Sequence, residues 1–72
     1  LNELGRYEDA LARAERAVHA HPRHAQAWVE RGSALKRLNR TAEAVGSFEK
    51  ALALEPGLVS AHTSLAATAL SD

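Results

Sequence analysis

Residues 25–58 read AQAWVERGSALKRLNRTAEAVGSFEKALALEPGL, a stretch whose spacing predicts two short helices facing each other across a tight turn. Trp28, Gly32 and Leu35 fall at i, i+4 and i+7 and so share one side of the first helix. Ala44, Phe48, Ala51 and Leu52 recur at i, i+4, i+7 and i+8 along the second. Between them, Asn39 suits a left-handed closing residue, because its short polar side chain tolerates that conformation. Thr41 is placed to cap the next helix through its hydroxyl, with Glu43 in the first turn against the positive end of the helix dipole. The helices are therefore expected at about 25–38 and 41–54, followed by a Glu55-Pro56-Gly57 turn.

Working outward, the chain repeats itself. A shift of 34 residues lays Leu1 on Leu35, Leu4 on Leu38, Arg6 on Arg40, Ala10 on Ala44 and Glu15 on Glu49. The same shift superimposes Ala17 on Ala51, Pro22 on Pro56 and Ala27 on Ala61. The matched residues are mostly small or apolar and sit at helical spacing, with the turn proline among them. Upstream, Leu1 to Leu4 read as the final turn of a helix closed by Gly5, and Tyr7 to Ala20 as a complete one. Ala10, Leu11, Ala14, Ala17 and Val18 form its stripe, and Asp9 with Arg13 makes an i, i+4 pair on the wet face. The residue before a proline is pushed out of the helical region, so His21-Pro22 marks a boundary. Downstream, Ala61, Leu65 and Ala69 recur every four residues from Leu58 onward and predict a fourth helix.

The order Trp28, Gly32, Ala44, Phe48, Ala51 and Pro56 within a 34-residue unit resembles the tetratricopeptide repeat. Two positions depart from that family's pattern, with Arg31 in place of Leu and Leu35 in place of Tyr. Arg31 must then run its stem along the packed face or pair with a neighbour such as Glu30 or a group on the adjoining repeat. The flanking units match more loosely: Gly5, Tyr7, Ala10, Ala17 and Pro22 before, with Ala14 in the aromatic's place, and His62 and Ala66 in the Trp and Gly places after. The resemblance implies an all-α fold of antiparallel helix pairs stacked as a right-handed solenoid. On this reading residues 1–24 are the end of one repeat, 25–58 a complete repeat and 59–72 the first helix of another, an excerpt of a longer array.

Composition narrows the function classes. Seventy-two residues allow one small domain with a marginal core, and the absence of Cys excludes both a disulfide framework and a thiolate metal site. Nine basic and nine acidic residues cancel, which argues against a polyanion-binding tail. No apolar run approaches the roughly 20 residues of a membrane span. His19, His21 and His24 cluster, but a spacing of two puts the first pair on different sides of a helix and no acidic partner completes a tetrahedral set, so no metal or other cofactor is expected. Arg31, Lys36, Arg37 and Arg40 concentrate toward one helix end, where cations complement the dipole, and no nucleic-acid partner is expected. A glycine-rich phosphate loop, a nucleophile elbow and a catalytic carboxylate pair are all missing, so the segment is not read as an enzyme.

What remains is interaction. By the resemblance, repeated pairs form a groove lined by the first helix of each, which holds a peptide or a partner helix. Here that face comprises Gln26, Val29, Glu30, Ser33, Lys36 and Arg37, followed by Ser60, Thr63, Ser64 and Ala67, with Asn2 and Glu3 before them. Trp28, Gly32, Leu35, Ala44, Phe48, Ala51 and Pro56 carry structure instead. The residue set does not match the Lys, Arg and Asn clamp of chaperone-binding members, nor the Asn ladder of members attached to sugar transferases. Two other readings stay open: a structural segment that self-associates through its terminal helices into a homo-oligomer, and the targeting arm of an enzyme in a parent chain.

Overall fold

The computed structural model describes residues 3–70, with side chains for 5–68, and contains four helices and no strand among them. These are α1 (Glu3–Ala20), α2 (Ala25–Arg37), α3 (Thr41–Leu54) and α4 (Val59–Leu70). Consecutive helices pack as antiparallel neighbours, and α2 also touches α4, whereas α1 contacts α2 alone. The result is a slab of 37 × 31 × 16 Å.

The repeat is visible in the turns. His24 N–H donates to the His21 carbonyl at 3.0 Å, and 34 residues later Leu58 N–H donates to the Glu55 carbonyl at the same distance. Each turn carries its proline directly after the accepting residue. The Trp28 indole N–H donates to the Pro22 carbonyl at 2.8 Å, and His62 Nε2 lies 3.0 Å from the Pro56 carbonyl. His62 thus makes the polar contact of Trp28 with a smaller ring. At the other corner, Asn39 adopts the left-handed conformation (φ 66°) that stops α2.

The core is built from small residues around one large ring. Leu11 of α1 clusters with Ala25, Val29, Ala34 and Leu35 of α2, with Ala44, Phe48 and Ala51 of α3 and with Ala61 of α4, and Ala14 and Val18 of α1 are buried as well. The side-chain atoms nearest to Gly32 belong to Phe48: a Cβ at Gly32 would lie 2.6 Å from Phe48 Cε1. The missing side chain makes room for a ring, and that ring is fully buried. Trp28 is only half-buried, with Arg31 at 5.9 Å and Lys50 at 5.8 Å from its ring centroid.

Several sequence expectations need correction. Gly5 does not end a helix: α1 runs unbroken from Glu3, no glycine has a positive φ, and nothing packs within 4 Å of Gly5 to demand a turn. Leu1 and Asn2 lie outside the described residues, as do the side chains of Glu3, Leu4 and Ala69. The second helix stops at Arg37, with Leu38 as its cap residue. Asp9 and Arg13 are both exposed and form no ion pair. Arg31, by contrast, finds a group on the unit before it, one of the expected alternatives to Glu30: it approaches Glu15 at 3.7 Å and also donates to Ser47 Oγ at 2.5 Å, so one guanidinium ties α1, α2 and α3 together. Thr41 is the first residue of α3 rather than its cap, and no side chain caps that end through its own hydroxyl or carboxylate. Arg40 holds the cap position and donates two hydrogen bonds to the Glu43 carboxylate, at 2.9 and 2.7 Å.

That fork lowers the Glu43 pKa through the hydrogen bonds first and the Arg40 charge second, and it raises that of Arg40. A lowered carboxylate pKa stabilises the fold above the unfolded value, and the contribution disappears as pH falls through the folded value. Thermal unfolding followed by circular dichroism therefore checks one prediction: Glu43→Gln lowers the midpoint at pH 7, and the difference from wild type vanishes once pH is below the carboxylate range. A second pair separates packing from propensity. Gly32→Ala drives a methyl into the Phe48 ring and costs about 1–3 kcal/mol. Gly46→Ala, in α3 with nothing within 4 Å, gains about 0.5–1 kcal/mol. Chemical denaturation reads both, and equal effects of one sign would contradict the packing assigned to Gly32.

Candidate functional site

The first helices of successive units, α2 and α4, lie side by side, and the polar residues they leave on one face have no helix of the described chain over them. Ser33, Lys36 and Arg37 of α2 and Ser64 of α4 line one cavity of about 390 Å³, with the buried Phe48 ring closing its floor. Two repeats thus contribute to one concavity. Its donors are two cations and two hydroxyls. Neither Lys36 nor Arg37 enters an ion pair with a described residue. The Ser64 carbonyl is already used by the Thr68 hydroxyl at 2.7 Å, which leaves the Ser64 hydroxyl itself on the face.

A larger cavity of about 480 Å³ opens on the other side of α2, against α1. Gln26, Val29, Glu30, Ser33 and Arg37 form one wall, and Tyr7, Ala10, Arg13 and Ala14 the other. The Arg37 guanidinium stands 5.8 Å from the Tyr7 ring centroid, which steadies a side chain shared by both cavities. Of the groove residues read from the sequence, Val29 departs most: it is 5% exposed and belongs to the core, because the side of α2 that carries it faces α1. Gln26, Glu30, Ser33, Lys36, Arg37, Ser60 and Thr63 are exposed and Ser64 is half-buried. Ser60 and Thr63 line neither cavity. The α1 wall escaped the sequence reading, although the 34-residue shift contained the signal: Ala10 and Ala14 are the counterparts of Ala44 and Phe48, both of which bury against a neighbouring first helix.

A helix pair with a three-residue corner, a first-helix glycine seated on a second-helix ring, and turn contacts repeating at 34 residues is the arrangement to compare with known families. The tetratricopeptide repeat model matches residues 3–59. The chain belongs to the tetratricopeptide repeat family. Comparison with curated proteins finds no match. Tetratricopeptide repeats generally mediate protein–protein interaction and are typically non-catalytic. For this tetratricopeptide repeat chain, no group of three or more His, Cys, Asp and Glu side chains among the described residues could hold a metal ion, and no described helix is long and apolar enough to cross a membrane.

Proposed function

We propose that the chain is a non-catalytic docking module, in which the face formed by α2 and α4 binds a peptide or partner helix of another protein. The observation that carries this reading is the convergence of Ser33, Lys36 and Arg37 from one repeat with Ser64 from the next on one cavity. Two unpaired cations beside two hydroxyls favour a segment rich in carboxylates and backbone carbonyls, since each can accept a charge-assisted hydrogen bond. Gln26, Glu30, Ser60 and Thr63 extend the same helices beyond the cavity, and as exposed polar residues they tune specificity at the rim rather than supply most of the affinity. Val29 acts from beneath, by holding α2 against α1.

The experiment compares proteins captured by the wild-type chain with those captured by Lys36→Glu plus Arg37→Glu, both folded by circular dichroism. Both residues are exposed, so the double change leaves the core intact. Partners lost by at least about tenfold, the equivalent of roughly 1.4 kcal/mol, support the reading. Partners retained unchanged remove the cationic face from the binding site.

A further inference from the structure

We propose that the cavity between α2 and α4 takes a phosphorylated serine of the partner segment, a reading that rests on the docking role of that face and narrows it to one chemistry. The walls of this cavity all lie within the described chain: Ser33, Lys36 and Arg37 come from α2, Phe48 from α3 and Ser64 from α4. Lys36 and Arg37 stand three and four residues after Ser33, so the three share one side of the helix. Ser64 adds a second hydroxyl from the next repeat.

The two charges are not consumed by the helix end that carries them. Cations in a last helical turn ordinarily hydrogen-bond the terminal carbonyls as well as complement the dipole. Here the backbone takes those carbonyls. Leu38 N–H donates to the Ala34 and Leu35 carbonyls, both at 3.1 Å, Asn39 N–H to Lys36 at 3.0 Å and Arg40 N–H to Leu35 at 2.8 Å. The left-handed Asn39, with φ 66°, turns the chain back over the end of α2 where these donors sit. Neither cation pairs with a described carboxylate, and no acidic side chain is in the cavity wall. Arg37 stands 5.8 Å from the Tyr7 ring centroid, a contact that restrains the side chain without neutralising it.

Charge then selects the occupant. A single carboxylate matches one of the two cations and leaves the other unpaired. A phosphate monoester carries a charge of about −1.5 to −2 at neutral pH and three strong acceptor oxygens, enough for both cations and a hydroxyl. A nucleic-acid phosphodiester carries about one charge per phosphate and so fits no better than a carboxylate. The cavity, about 390 Å³, is within the range of small-ligand sites.

Three libraries of short peptides with randomised flanks, differing only in a central phosphoserine, serine or aspartate, are passed over the immobilised 72-residue chain. Wild type should retain the phosphoserine library about tenfold or more above the other two, the gain of a further charge-assisted contact. Lys36→Gln plus Arg37→Gln, verified as helical by circular dichroism, should lose that preference. Free N-acetyl-phosphoserine amide should compete with the retained peptides, and a thymidine oligonucleotide should not. Equal retention of the phosphoserine and aspartate libraries, or retention of neither, overturns the proposal. The docking reading is then still judged separately, by capture with Lys36→Glu plus Arg37→Glu. Undiminished retention of the phosphoserine library by the Gln double variant, or equal competition by the oligonucleotide, also overturns the proposal.

Discussion

The fold depends on one close approach, that of the Gly32 backbone to the Phe48 ring. A helix is normally kept about 8–10 Å from its neighbour by its side chains, and removing one lets the axes close where the ring can fill the remaining space. With Phe48 and Leu35 both fully buried at this point, α2 and α3 form the unit on which the rest leans. α1 reaches only α2, and α4 adds to a surface that α2 and α3 already define. Arg31 reinforces the same junction by a different means. Its stem lies in the packed layer while its guanidinium spans Glu15, Trp28 and Ser47, so a position that favours Leu in this family becomes a polar tie across three helices.

Most of this was legible in the sequence because helical periodicity and turn chemistry are local. Thr41–Leu54 follows from its stripe and flanking residues, and Asn39 takes the left-handed conformation that its place between two helices demands. The misses share a cause, which is that the deciding contacts are tertiary. Gly5 reads as a stop from composition, yet nothing packs there to make stopping worthwhile. Val29 reads as a groove residue by position on α2, and it both lines the cavity against α1 and is buried in the core, which position alone does not tell. For Arg31 a partner on the adjoining unit was foreseeable and Glu15 is one, but its bond to Ser47, 16 residues away on α3, was not.

Function follows from what the packing leaves over. The small-residue contacts between helices bury or half-bury the large apolar side chains, and Val59 is the exposed exception among the described residues. Lys36 and Arg37 give a cationic spot in a chain of zero net charge, on the face proposed for docking. The two sides of α2 differ in character. Toward α4 the cavity is lined by Ser33, Lys36, Arg37 and Ser64 beside the Phe48 ring; toward α1, Ala10, Ala14, Val29 and Ala34 mix with Arg13, Gln26, Glu30 and Arg37. Repeat proteins are built from units that contact only their neighbours.

The account stands on the contact between Gly32 and Phe48, and proton NMR of the 72-residue chain tests it most directly. The account predicts strong nuclear Overhauser effects from the Gly32 α-protons to the Phe48 ring, with those α-protons displaced from their random-coil shifts by the ring current. Gly32 α-protons at random-coil shifts, with no such effect to any Phe48 ring proton, would contradict it.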